Sequence, residues 1–274
     1  MERFVVLEKA VGETPLECAE TWRAAQTDEY QSVPLAYAGR LDPMASGKLL
    51  VLIGDECKRQ EQYHGLDKEY EFQVLFGVSS DSGDVLGIVS PAPPAKQATF
   101  HEPELTKVCR SLVGQIELPY PAFSAKTVQG KPLHTWTLEG RLNEIKIPTA
   151  STTVYSLKLL KLESLSIEVV YRYATEKIET IPPVTDSRKA IGNDFRRPEV
   201  RAAWQTFLHT RTQETYQVAT FRCRCSTGTY MRSLAEKIAA ELGTAGLAYS
   251  IHRTNIGWYY YLTPNIGWWT KRYS

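Results

Sequence analysis

Residues 36–53 read Ala-Tyr-Ala-Gly-Arg-Leu-Asp-Pro-Met-Ala-Ser-Gly-Lys-Leu-Leu-Val-Leu-Ile. A carboxylate, Asp42, stands in a turn punctuated by Gly39, Pro43 and Gly47. The apolar run Leu49–Ile53 behind it predicts a buried strand or helix. A short acid on a tight loop is aimed with little freedom to swing away, as a nucleophile requires. An Asp-Pro pair in a turn is also an ordinary structural feature, so the weight comes from the rest of the chain.

Outward from this loop the pattern mixes strands and helices. Phe4–Leu7 predicts a first strand, and Leu16–Ala25 has helical spacing. Lys68–Phe76 alternates Tyr70, Phe72, Val74 and Phe76 with polar residues, the mark of a half-buried strand. Ser79–Gly87 is a loop, Ala92–Pro94 a connector, and Leu105–Val113 an amphipathic helix stopped by Gly114. Val154–Leu162 and Tyr216–Cys225 predict strands, the second carrying Arg222 and Arg224 on one face. Thr229–Leu242 predicts a helix closed by Gly243. Residues 165–213 differ in character. They hold Pro182-Pro183, six Lys and Arg between 188 and 211, and one predicted helix, Pro198–His209 with Pro in its first turn. They form a basic insertion rather than a separate core. Near the end, Asn255-Ile256-Gly257-Trp258 recurs as Asn265-Ile266-Gly267-Trp268, which predicts a Gly-turned aromatic hairpin packed on the core.

The 274 residues, 43% hydrophobic and 23% charged, describe a globular chain. No secretory signal or membrane-length apolar run is visible. Five scattered cysteines lack a Cys-x-x-Cys pair, which fits reduced cytosolic thiols and no zinc site. The net charge of +1 hides an asymmetry. Residues 1–100 carry 9 Lys and Arg against 16 Asp and Glu, and residues 101–274 carry 23 against 15. A polyanion would favour the second part, where no acid intervenes between Phe221 and Ser233.

Four further segments join Asp42 in order. They are Leu7–Pro15 with Lys9 before a Gly turn; Lys68-Glu69-Tyr70; Pro119–Lys126; and Cys225-Ser226-Thr227-Gly228-Thr229-Tyr230-Met231-Arg232-Ser233-Leu234. Together they resemble the TruB family of RNA pseudouridine synthases. Residues 36–47 resemble that family's Gly-His-x-Gly-x-Leu-Asp-Pro-x-Ala-x-Gly, and 225–234 its Cys-Ser-x-Gly-Thr-Tyr-Ile-Arg-x-Leu. His252-Arg253-Thr254 with Gly257 resembles its closing Leu-Arg-Arg-Thr-x-x-Gly. The resemblance covers about 1–164 and 214–260. It departs where the family His is Tyr37, where Lys-Pro is Lys9-Ala10, and where Arg40-Leu41-Asp42 is nearer the RluA branch of these synthases.

The resemblance implies an α+β fold: a central mixed, largely antiparallel sheet flanked by helices. It implies one catalytic domain over 1–260 interrupted at about 165–213, then a tail over 261–274 without the RNA-binding PUA domain of many relatives. It implies isomerisation of a uridine in tRNA, foremost at the T-loop position 55, with a synthase acting on another RNA or a non-catalytic RNA-binding or tRNA-folding module as the alternatives. That reaction is redox-neutral and calls for no cofactor and no metal. By residue match, Asp42 is the nucleophile, Tyr70 stacks on the base and assists loss of the C5 proton, and Arg232 pairs with the acid. Tyr230, Tyr37, Arg40 and Lys9 are the matched substrate contacts. The expected partner is the tRNA T-arm, bound by a cytoplasmic monomer without a protein partner or membrane. The basic insertion is expected to supply phosphate contacts.

Overall fold

The alternating residues of the fourth strand organise the molecule. In the computed structural model, which describes residues 1–91, 99–183, 194–210 and 213–274, the elements follow in chain order. The first part runs β1 (Phe4–Lys9), α1 (Pro15–Ala24), α2 (Asp28–Gln31), β2 (Leu35–Ala38), β3 (Ala45–Ile53), a 3-10 helix (Gly54–Tyr63) and β4 (Asp67–Phe76). Then come β5 (Val78–Ser80), β6 (Val89–Pro91), α3 (Glu102–Ser111), β7 (Gly114–Pro119), β8 (Thr127–Val128), β9 (Lys131–Pro132) and α4 (Leu133–Leu138). The rest is β10 (Thr149–Ser166), α5 (Ile167–Thr180), α6 (Arg197–Thr210), β11 (Thr215–Cys225), α7 (Met231–Glu241), β12 (Gly246–Thr263) and β13 (Ile266–Tyr273).

Nine strands form one sheet in the order β1-β3-β12-β4-β11-β10-β7, with β2 also on β3 and β13 on β12. Every pairing is antiparallel except β12 with β3, which is parallel over Ile251–Arg253 and Ala45–Gly47. The α+β architecture with a mixed, mostly antiparallel sheet is therefore present. On β4, Tyr70, Phe72, Val74 and Phe76 face the main core, packed with Leu234, Ala235 and Ile238 of α7. The opposite face carries Glu69 and Glu71, which lie in register with Arg224 and Arg222 of β11 and pair with them. The charge-rich stretch of β11 is thus balanced across the sheet, and its arginines are not a free polyanion-binding patch.

Local chemistry explains the helix ends. Thr14 accepts from the Glu17 amide at 3.1 Å while the Glu17 carboxylate accepts from the Thr14 amide at 2.7 Å, a reciprocal cap ahead of Pro15. Among its described residues the insertion holds two α-helices, α5 and α6, where the sequence predicts one. Ile167, Val170, Ala174 and Ile178 of α5 and Val200, Trp204 and Phe207 of α6 join the main core, and Trp204 Nε1 donates to the Val85 carbonyl at 3.0 Å. Helices α5 and α6 thus share the main core with the central sheet. The aromatic hairpin forms as expected, but only one face packs. Tyr259 and Tyr261 stack near Tyr155, whereas Trp258, Tyr260 and Trp268 are exposed. The boundary expected after residue 260 falls inside β12, so the tail is sheet. No described helix is long and apolar enough to cross a membrane.

Candidate active site

Asp42 lies between β2 and β3, in a turn closed by the Ala45 amide donating to the Asp42 carbonyl at 3.0 Å. The Gly12 amide donates to the Pro43 carbonyl at 2.9 Å, tying the turn after β1 to the same loop. Gly47 is required there. Its φ is +106°, and a Cβ would meet the Arg253 carbonyl oxygen at 2.3 Å. Arg253, wholly buried, grips the loop from behind. Its Nε donates to the Lys48 carbonyl at 2.6 Å and its Nη2 to the Gly39 carbonyl at 3.2 Å.

Arg232 projects from the first turn of α7 and reaches Asp42, with Nε 2.8 Å from Oδ2. The contact is an ion pair rather than an aligned hydrogen bond, because the Nε–H has no acceptor in line. Its other nitrogens are anchored: Nη1 donates to the Ser82 carbonyl at 3.0 Å, and Nη1 and Nη2 to the Phe123 carbonyl at 3.3 Å each. A second acid, Asp84, places Oδ2 3.7 Å from Arg232 Nε. Asp84 is buried and receives the Ser82 hydroxyl at 2.7 Å and the Leu86 amide at 3.0 Å. Burial raises its carboxyl pKa, while Arg232 opposes the rise. One buried guanidinium therefore serves two carboxylates, a partly exposed one able to meet substrate and a buried one that balances charge.

Tyr70 lies beside Arg253 across the β4–β12 pairing. Burial pushes its phenol up to about 12, with the Arg253 guanidinium working the other way. Tyr230 caps α7 and meets Tyr120 edge to face, ring centroids 5.5 Å apart. Burial, then the Asp42 charge, raises its phenol pKa. Arg40 is exposed at the front of the same loop. Arg232 thus meets Asp42, the Asp42 charge bears on both Tyr70 and Tyr230, and Arg40 stands two residues before the acid.

Two matched residues lie elsewhere. On β2, strand alternation sends Ala36 and Ala38 to one cluster and Leu35 and Tyr37 to the opposite one, so the Tyr37 ring packs against Leu49, Val51 and Cys18. It is not a side chain of the cleft. Lys9 is fully buried, and its ammonium donates to the carbonyls of Ala10 at 2.8 Å and Ala45 at 2.6 Å. Burial brings its pKa down to about 8. Its position is behind the loop that bears Asp42, not at the substrate face. Asp84 escaped sequence reading because it looked like a loop residue in Ser79–Gly87. The signal available was an acid set directly before the apolar Val85-Leu86.

A cavity of about 130 Å³ opens beside the ion pair, lined by Asp42, Arg232 and Asp84, by Phe123, and by Ile178, Ile181 and Val200 of the insertion. Tyr70, Tyr230 and Arg40 surround Asp42 without lining this cavity. No cluster of metal-ligating side chains occurs among the described residues.

The β2–β3 loop and the first turn of α7 bring a carboxylate and a guanidinium together, with Tyr70 of β4 near enough to feel the acid's charge, an arrangement suited to nucleophilic chemistry. Residues 30–180 match the TruB family pseudouridylate synthase N-terminal domain, and the chain belongs to this family. It is 26% identical over 257 residues to tRNA pseudouridine synthase B of Caldicellulosiruptor saccharolyticus, covering 94% of this chain and 68% of that one. It is 31% identical over 236 residues to tRNA pseudouridine synthase 4 of Saccharomyces cerevisiae, covering 77% and 57%. The chain therefore spans about three fifths of the length of such relatives. Among solved structures, a chain of a Cbf5-Nop10-Gar1 complex superposes with a TM-score of 0.54 at 16% identity, covering 93% of this chain and 49% of that one. This likeness concerns the fold alone.

Proposed function

We propose that the protein isomerises a uridine to pseudouridine in tRNA, at uridine 55 of the T-loop. The observation that carries the proposal is the Asp42–Arg232 pair, 2.8 Å apart at the lip of a cleft and backed by buried Asp84. The N1–C1′ bond breaks, the base turns over, C5 bonds to C1′, the C5 proton leaves and N1 gains one. Atoms balance without an oxidant or reductant. Asp42 is the nucleophile, and Arg232, 2.8 Å away, fixes its direction. Tyr70, whose phenol stays protonated at neutral pH, stacks on the base and places its hydroxyl near C5. Tyr230 and Arg40 complete the nucleotide contacts, and Lys9 orders the loop from behind.

The target base must leave its stack to enter such a site. The T-arm is the proposed partner, bound by a cytoplasmic monomer. The test is incubation with an unmodified tRNA transcript, followed by carbodiimide treatment and primer extension. A single stop at the T-loop uridine is expected. A stop elsewhere, or only in another RNA, reassigns the substrate; no stop in any RNA overturns the reaction.

A further inference from the structure

The insertion is expected to contact phosphate, yet its described arginines between 194 and 201 are already committed. Arg201 pairs with Glu179 at 2.5 Å, and Arg197 donates to Asp194 at 2.9 Å and to the Ile178 and Pro182 carbonyls at 3.2 Å each. Arg188, Lys189 and Arg211 lie outside the described residues. Arg196 is committed in a more informative way. Its Nη1 donates to Asp81 Oδ2 at 2.6 Å and its Nη2 to Oδ1 at 3.3 Å. Its guanidinium carbon lies 4.2 Å from the centroid of the Phe123 ring, a cation–π arrangement.

These two grips fall on the two segments that hold Arg232. Phe123 supplies one carbonyl to the Arg232 fork, and Ser82, the peptide neighbour of Asp81, supplies the other. Asp81 Oδ1 also accepts from the Ile88 amide at 2.9 Å, closing the 81–88 loop on itself. The limb that presents Arg196 is braced in turn. Arg197 fastens it to the end of α5, and Thr180 there packs against Gly12, whose amide binds Pro43 next to Asp42. Asp194 and Arg196 both hold left-handed backbone, φ +53° and +58°. Such conformations persist where surroundings over-determine them and concentrate at functional sites.

We infer that Arg196 is a positioning residue, which holds the 81–88 loop and the Phe123 segment at the spacing that aims the Arg232 guanidinium at Asp42. The kinetic part of this inference rests on the pseudouridylation reading. Phe123, Asp81 and Arg196 come from three separate parts of the chain, so no one of them fixes the spacing alone. Arg196 then acts through the ion pair, not through the RNA backbone.

The experiment compares wild type, Arg196→Ala, Arg196→Lys and Asp81→Asn on one tRNA transcript in single turnover, with tRNA affinity measured from low to moderate salt. Misplacing a reacting group by an ångström costs about 100-fold, so Arg196→Ala is expected to lose roughly 10- to 100-fold in rate. Its affinity and salt slope should match wild type. Arg196→Lys should recover part of the rate, since an ammonium still pairs with Asp81 but does not lie flat on Phe123. Asp81→Asn should lose roughly tenfold, and it carries the test if Arg196→Ala fails to fold. An unchanged rate overturns the inference. So does a salt slope flattened by about 0.7–0.9 in Arg196→Ala, which would make the residue a phosphate contact.

A second readout needs no turnover. Nitrogen-15 NMR of the Arg232 guanidinium should show slow rotation of its Nη groups in wild type and faster rotation in Arg196→Ala or Asp81→Asn. Equal rotation in all proteins overturns the inference. If wild type forms no pseudouridine, the functional proposal fails while this comparison still decides the role of Arg196.

Discussion

Replacing Arg232 by lysine keeps the charge and removes the fork. In the native site three nitrogens act at once: Nε faces Asp42 and Asp84, while Nη1 and Nη2 bind the Ser82 and Phe123 carbonyls. A single ammonium reaches one of these places. At 3.7 Å and an effective dielectric of about 20, the gross attraction to Asp84 is about 4–5 kcal/mol. Most of it is offset by the cost of burying both charges. Lysine preserves part of that compensation and forfeits about two charge-assisted hydrogen bonds, so stability should fall by about 2 kcal/mol. Arg232→Met, which strands Asp84 as an unpaired buried acid, should cost about 3–5 kcal/mol. In rate the order differs in scale. An Asp42 carboxylate without its bidentate-capable partner loses its fixed direction, and Arg232→Lys should fall at least about 100-fold in single turnover. Urea melts and single-turnover pseudouridine formation on one transcript supply both numbers. Arg232→Lys turning over within threefold of wild type would refute the fork argument, whatever its stability.

Asp42→Asn keeps shape and removes charge; turnover should vanish while tRNA affinity stays within a few-fold by filter binding, and near-wild-type activity would remove the nucleophile assignment. Tyr70→Phe keeps the ring, so binding should persist while product formation collapses; unimpaired product formation would leave Tyr70 as a stacking platform alone. Lys9 and Lys68 give stability an unusual dependence on pH. Burial holds each near 8 in the folded chain, against 10.5 for an ordinary lysine. Between those values the unfolded chain binds more protons, so the penalty for burying the ammonium groups is full below pH 8 and shrinks as pH rises. Above pH 9 the buried thiols act oppositely, since Cys18 and Cys109 are raised to about 12 and 11 in the folded chain. The urea midpoint should therefore climb from pH 8 to 9 and then turn over; a midpoint flat or falling across pH 8–9 contradicts the burial argument.

Much of the fold was legible because each strand of the sheet's centre carries one simple signal. The alternation of Tyr70, Phe72, Val74 and Phe76 marks β4, and Gly243 after the α7 pattern marks a helix end. Helix α5 is less legible, although its Ile167, Val170, Ala174 and Ile178 repeat at helical spacing. Val169, Tyr171 and Tyr173 between them supply β-branched and aromatic residues that suit a strand equally well, which obscures the helical period. Arg222 and Arg224 look like a basic run in one dimension, and only the register of β11 on β4 reveals Glu71 and Glu69 beside them.

The cleft was legible for a different reason from the parts that support it. A group that touches substrate has to be a particular residue in a particular turn, so Asp42 and Arg232 stand out locally, each inside a Gly-punctuated motif. A group that positions them needs only to arrive from somewhere. Tyr37 shows the converse. It occupies the motif position of a contact residue, yet the two-residue period of β2 turns its ring to the α1 side of the sheet. Motif position alone does not say which face of a strand a side chain takes; the pairing with β3 does. Asp84, Arg253 and Arg196 lie far from the motif acid in sequence, and their partners are backbone carbonyls or charges that three-dimensional packing alone supplies. If Arg196 positions the site through its clasp on Asp81, the two residues should be coupled in energy although they lie far apart in sequence. The double variant Arg196→Ala with Asp81→Asn should then lose no more rate than Arg196→Ala alone, because both changes open one clasp. Additive losses would mean that Arg196 and Asp81 act separately, and that the clasp is two unrelated contacts.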